Sequence, residues 1–226
     1  MKLLIDDANL DAIEAILALY PIDGVTTNPT ILAKAGENPK ERLIKIRKLI
    51  GDDLDLHCQV VASSKEDMKD QARKLVKVLG DNTYIKIPSS GEGFKAMEEL
   101  SKERIKVTAT GIYSPLQGFL AAKAGAKYLA PYVNRIDNLG YDGLAVARKI
   151  QNILEANDFD TEILAASFKN SNQVLDLVER GVGALTLGTA VFDSLVNDRN
   201  VDFAIKTFED DFAKILDEGQ TFSNIL

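Results

Sequence analysis

Eight short β-rich runs recur along the 226 residues, and a stretch with helical punctuation separates each from the next. The runs are KLLID (2–6), DGVTT (23–27), DLHCQVV (55–61), TYIKIP (83–88), KVTATGI (106–112), KYLAPYV (127–133), TEILAAS (161–167) and GALTLG (183–188). Eight β/α units repeating at roughly 20 to 30 residues predict an α/β chain closed into a (β/α)8, or TIM, barrel. A doubly wound open sheet is the main rival. It expects G-x-G-x-x-G after the first strand, whereas GEGFKAM follows the fourth run and lacks the third glycine.

The intervening segments carry start and stop signals. Ser64 and Asp67 form a capping-box pattern ahead of Met68, Ala72, Leu75, Val76 and Leu79, which share one helical face, and Gly80 stands where a C-terminal cap belongs. Asn38-Pro39 and Ser114-Pro115 each place a capping residue before a proline in the first helical turn. An amphipathic helix is predicted at about 201–216, with Phe203, Phe208, Phe212 and Leu216 available to pack on the barrel or on a second subunit. No Pro/Ser/Gly-rich or charge-dense stretch interrupts the chain, so residues 1–226 read as one barrel domain that includes this helix and the tail.

Charge and cysteine content narrow the classes of function. A formal charge of −7 opposes nonspecific attraction to nucleic acid or to an anionic membrane. The single cysteine, Cys58, cannot form an intrachain disulfide, and MKLLIDDANL reaches Asp6 before a secretory apolar core could form. A cytoplasmic protein is expected. The single histidine, His57, and the single cysteine cannot supply an imidazole or thiolate cluster for zinc within a subunit, so a zinc site is not anticipated; no cofactor is expected.

In a barrel of this kind, reactive residues gather at the C-terminal ends of the strands. Polar residues that are odd for a core stand at those positions: Asp6, Thr26 with Asn28, Gln59, Lys86, Thr110, Tyr132 with Arg135, and Ser167 with Lys169. Strand alternation sets Tyr84 and Lys86 on one face and Ile85 and Ile87 on the other. The isoleucines suit the helix layer, so Lys86 points into the barrel. The same parity turns Asp6, Thr26, Gln59, Thr110, Tyr132 and Ser167 inward, against Ile5, Val25, Val60, Ala109 and Pro131. Plainer readings exist for each: Asp6 as an N-cap, Asn28-Pro29 as a turn, Gln59, Thr110 and Tyr132 as satisfied core polar groups, VNRID as a surface ion pair. His57 reads as structural and Cys58 as packing against the helices. A lysine in a restricted, partly apolar site has its ammonium form disfavoured, and the neutral amine can attack a carbonyl to form an imine.

The stretches GVTTNPTI (24–31), YIKIP (84–88), APYVNRID (130–137) and AASFKN (165–170) resemble the motifs of the small transaldolase family, most closely its fructose-6-phosphate aldolase branch. That resemblance implies a metal-independent Schiff-base enzyme acting on phosphorylated sugars. It implies Lys86 as the imine-forming lysine, Asp6 as the group assisting proton transfers, and Asn28, with Thr26 beside it, on the substrate. Gln59, Thr110 and Tyr132 match the trio that holds a catalytic water and moves the proton at the breaking C–C bond. Arg135 and Ser167 match the phosphate-binding pair, and Lys169 stands where larger transaldolases have an arginine. Typical transaldolases carry glutamate and phenylalanine where this chain has Gln59 and Tyr132, so the branch implied is the aldolase, with dihydroxyacetone-transferring transaldolase as the alternative and a non-catalytic phosphosugar-binding barrel as a third reading. DDAN (6–9) departs from the Asp-Thr-Ser or Asp-Thr-Ala common in relatives but keeps Asp6. The resemblance also implies a homo-oligomer, pentameric or decameric.

Overall fold

Strand alternation with one apolar face for the helices and another for the interior makes each run half of a two-sided core. In the computed structural model, which describes residues 1–196, 198–217 and 220–225, all eight runs form strands. Asn197, Glu218, Gly219 and Leu226 lie outside the described residues, and with them part of the expected tail. The strands are β1 (Lys2–Asp6), β2 (Gly24–Thr26), β3 (Asp55–Gln59), β4 (Thr83–Pro88), β5 (Val107–Ile112), β6 (Tyr128–Pro131), β7 (Glu162–Ala165) and β8 (Ala184–Leu187). They lie in sequence order, all pairs parallel, and β8 pairs with β1 to close the ring. That closure excludes the open doubly wound sheet. Sequential order follows from the helical crossovers, each of which returns the chain to start the next parallel strand.

The two faces of the sheet fill differently. Ile5, Val25, Cys58, Ile85, Ile87 and Ala109 are fully buried on the helix side, where burying a side chain of isoleucine size contributes roughly 1.5 to 3 kcal/mol. Leu4, Tyr84, Tyr128, Leu164 and Ala184 form a cluster inside the ring. This interior plug closes the barrel below the strand ends and leaves the polar residues above it at the mouth.

The helices begin as their sequence signals dictate. Asn38 and Ser114 cap helices that open with Pro39 and Pro115, and Ser114 with Gln117 forms a complete capping box. At Ser64 the box is only half made. Its hydroxyl accepts from the Asp67 N–H at 3.2 Å but donates to the Asp67 carboxylate at 2.6 Å, so the carboxylate takes the serine hydroxyl instead of the backbone N–H of Ser64.

The chain divides into two compact units, Met1–Phe192 and Asp193–Leu226, the first containing all eight strands. In the second, a helix runs over Arg199–Ala213; it starts two residues earlier than the periodicity suggests, where Asp198 caps it by accepting from the Asn200 N–H at 2.9 Å, and ends three residues earlier, with Lys214 at its C-terminal cap. Phe212 stacks on Phe222 with ring centroids 4.4 Å apart. Val201, Phe203, Ile205 and Phe208 are exposed. Among the described residues, no helix is long and apolar enough to cross a membrane.

Candidate active site

The mouth of the barrel is built from strand ends and the first residues beyond them. Lys86 reaches it from β4, is 4% exposed, and donates from Nζ to the Thr27 carbonyl at 2.9 Å. Thr27 is itself fixed by its N–H and hydroxyl, both donating to the His57 carbonyl at 2.8 and 3.1 Å. The lysine is therefore held by backbone, with no carboxylate hydrogen-bonded to it among the described residues. Its Cβ is on the inner face of the strand, and the Thr27 carbonyl replaces one of the water contacts that burial of the amino group removes.

Asp6 ends β1 and accepts from the Thr26 hydroxyl at 2.7 Å; Thr26 is in turn 2.7 Å from the Thr186 hydroxyl. Asp6 is not a helix cap, because Asn9 caps the following helix. Asn28 does cap a helix, Pro29–Lys34, its Oδ1 accepting from the Ile31 N–H at 3.0 Å. That bond commits the oxygen and leaves the amide N–H groups to donate elsewhere.

Across the mouth, the hydroxyls of Thr110 and Tyr132 lie 2.6 Å apart. Two local features bring them together. Gly111 adopts φ 68°, a conformation glycine tolerates best, where β5 slips register against β6 between Ala109 and Ile112. Tyr132 follows β6 as a single bridge to Ala166 and precedes a short helix, Val133–Asp137, whose first residue is the last of the run KYLAPYV (127–133). Gln59 pairs in register with Lys86 and so shares its face, but forms no hydrogen bond to Thr110 or Tyr132. It also borders a largely apolar groove of about 700 Å³ between the helices Pro29–Lys34, Pro39–Ile50 and Lys65–Leu79. The polar groups of that groove are the exposed Lys40, Lys74 and Lys77 and the half-buried Gln59 and Gln71, and the convergent chemistry lies at the mouth.

Arg135 is exposed, and its guanidinium carbon sits 4.5 Å from the Tyr132 ring centroid in a cation–π stack. It forms no ion pair among the described residues, so VNRID is not a surface salt bridge; Asp137 instead accepts from the Gln173 amide at 2.7 Å. Tyr113 meets Tyr132 edge-on at 5.6 Å, and Tyr113, Arg135, Asn138 and Leu139 line a recess of about 370 Å³ beside it.

Ser167 corrects the parity argument. Leu164 belongs to the interior cluster, and strict alternation would then send Ser167 to the helix side. The strand ends at Ala165, however, and Ser167 takes φ 65°, a left-handed backbone that breaks the alternation. Lys169 is exposed, and its ammonium has no hydrogen-bond or ion-pair partner among the described residues. The residues brought into direct contact are thus Asp6 with Thr26, and Thr110 with Tyr132 and, through its ring, Arg135.

Beneath the mouth, His57 is fully buried, stacked on Tyr84 at 4.5 Å with an interplanar angle of 6°, and its Nδ1 is 2.9 Å from the Thr108 hydroxyl. Burial first, and then the charge of Lys86, push its pKa well below the ordinary histidine value. The ring is neutral near neutral pH, and Nε2 has no hydrogen-bond partner among the described residues. Burial likewise raises the Tyr128 phenol to about 12 and the Cys58 thiol to about 12, so neither group exchanges a proton readily near neutrality.

Thr27, whose carbonyl holds the lysine, and Thr186, on the one strand that had supplied no candidate, were missed in the sequence. Thr186 had a signal, being the single polar residue of ALTL. The role of Thr27 rests on a backbone atom, which side-chain identity does not reveal.

Fold and site together define a closed eight-stranded barrel with a buried lysine facing a polar mouth. Residues 3–226 match the family described as Transaldolase/Fructose-6-phosphate aldolase, and the chain belongs to that family of Schiff-base enzymes. Among solved structures, an arginine-to-lysine mutant of flavocytochrome b2 superposes with a TM-score of 0.60 at 12% identity, over 83% of this chain and 56% of that one. The chain thus spans just over half the length of that protein, and the likeness is one of fold alone.

Proposed function

We propose that this protein is a Schiff-base aldolase that cleaves fructose 6-phosphate to dihydroxyacetone and glyceraldehyde 3-phosphate, and joins them in reverse. The observation that carries this reading is the 2.6 Å contact between the Tyr132 and Thr110 hydroxyls at the mouth that Lys86 enters. In this reading the phenol takes part in proton transfer at the breaking C–C bond.

The Lys86 amine attacks the C2 carbonyl, and loss of water gives the protonated imine; Asp6, oriented by Thr26, moves the protons of that step. The C3–C4 bond then breaks as its electron pair flows into the imine, forming an enamine. The C4 hydroxyl gives its proton to the Tyr132–Thr110 pair, directly or through a water that Gln59 helps to hold, and the aldehyde leaves. Protonation of the enamine at C3 and hydrolysis of the imine release dihydroxyacetone and restore the amine. Asn28 donates to substrate hydroxyls through the amide that its capping bond leaves available. Arg135, Ser167 and Lys169 bind the phosphate, the guanidinium supplying paired, directional donors.

The test is a product assay. Incubated with fructose 6-phosphate alone, the protein is expected to liberate free dihydroxyacetone. Turnover that appears only after erythrose 4-phosphate is added would assign it to the transaldolases, which pass the three-carbon unit to an aldose.

We also infer a homo-oligomer, pentameric or decameric, in which a second copy covers part of the apolar face of the helix Arg199–Ala213. Phe203 and Phe208 are 73% and 70% exposed, an arrangement that favours association. Light scattering at micromolar concentration is expected to give a mass several times that of one chain; a monomer would contradict the inference.

A further inference from the structure

We propose that Thr186, on β8, is a positioning residue for Asp6, acting through Thr26; the proposal rests on the Schiff-base reading above. Thr26 contributes its one hydroxyl proton to Asp6 Oδ1 at 2.7 Å. The 2.7 Å contact between the Thr26 and Thr186 hydroxyls must therefore be donated by Thr186, because Thr26 has no second proton to give. A one-way line results, from Thr186 to Thr26 to Asp6.

The placement gives this line its purpose. Asp6 pairs in register with Thr26 on one side of β1, and Leu4 with Thr186 on the other, so strands flanking β1 on both sides meet beneath the carboxylate. Thr26 is fully buried and Thr186 is 2% exposed, which leaves neither hydroxyl an exposed face where bulk water could replace the other. Among the described residues, Thr26 is the one side chain hydrogen-bonded to Asp6. Without Thr186, the Thr26 hydroxyl loses the donor that fixes its torsion, and the carboxylate loses a firmly aimed partner. Asp6 moves protons as the imine forms and hydrolyses, so those steps should slow while the groups that hold the sugar and its phosphate stay in place.

The experiment is a double-mutant cycle with Thr186→Val and Asp6→Ala, read as kcat, KM and the single-turnover rate of borohydride-trapped imine on Lys86. Thr186→Val is expected to lower kcat and the trapping rate about tenfold, the scale of one buried hydrogen bond, with KM changed less than about twofold. Thr186→Ser, which restores the donor, should recover at least half of the loss. In the Asp6→Ala background, Thr186→Val should change the trapping rate less than about twofold, since its effect passes through the missing carboxylate. An equal loss with and without Asp6, or no rescue by serine, would overturn the proposal and make Thr186 a packing residue. Should Thr186→Val fail to fold, Thr186→Ala makes the same comparison with less side chain to accommodate. If wild type forms no imine on Lys86, the Schiff-base reading and this proposal fall together; if it does and the cycle is additive, only this proposal falls.

Discussion

Borohydride reduction of the protein in the presence of dihydroxyacetone or fructose 6-phosphate is expected to leave a mass increment on the peptide that contains Lys86, and Lys86→Met to abolish both the label and turnover. The geometry makes the residue specific. Lys86 is buried at the mouth with its ammonium on a backbone carbonyl, whereas Lys2, also on a strand, is bound to Asp55 near the start of β1. Methionine keeps the unbranched apolar stem and removes only the nucleophile, so the fold should survive. Loss of a covalent nucleophile commonly lowers turnover by about 10⁴-fold or more. Because the imine itself accepts the electron pair, turnover should persist in EDTA. A label on a different lysine, or full activity in Lys86→Met, would remove the mechanism at its first step.

The second large effect is expected at Tyr132. Tyr132→Phe should lower release of dihydroxyacetone by about 10²- to 10⁴-fold, the usual range for one acid–base group. The imine on Lys86 should still form, since the role proposed for the phenol is confined to the later C–C step. Phenylalanine retains the ring over which Arg135 is stacked, so the proposed phosphate side of the site should be little disturbed and the loss should appear in kcat more than in KM. Combining Gln59→Glu with Tyr132→Phe reproduces the pair found in typical transaldolases, and should shift the product ratio toward transfer onto erythrose 4-phosphate. A nearly silent Tyr132→Phe would mean that the Thr110 contact serves packing alone.

Much of this arrangement was legible because the strands are short and their two faces differ. Ile85 and Ile87 had to meet helices, which fixed the direction of Lys86 before any contact was known. Residues read as strand beyond the true ends, such as Val61, Tyr132 and Val133, misled for a physical reason: β-favouring side chains continue into the mouth, where the ladder has already stopped. Alternation failed at Ser167 because a left-handed residue follows the last paired strand position, and nothing in AAS announces that turn. The Asp6–Thr26–Thr186 line was hidden differently. Its members are far apart in sequence, and the direction of donation depends on counting protons across two contacts.

That distance also bears on how the molecule is made. Asp6 leaves the ribosome long before Thr186, yet β8 must pair with β1 before the ring exists. Contacts of such long sequence separation form slowly, after the loop-closure entropy of the intervening chain has been overcome. Until then, the β8-facing edges of β1 and β7 are open and capable of pairing with other chains. A nascent chain that has displayed Lys86 and Tyr132 still lacks the last stave of the barrel, so catalytic competence should arrive late and abruptly during synthesis, with ring closure.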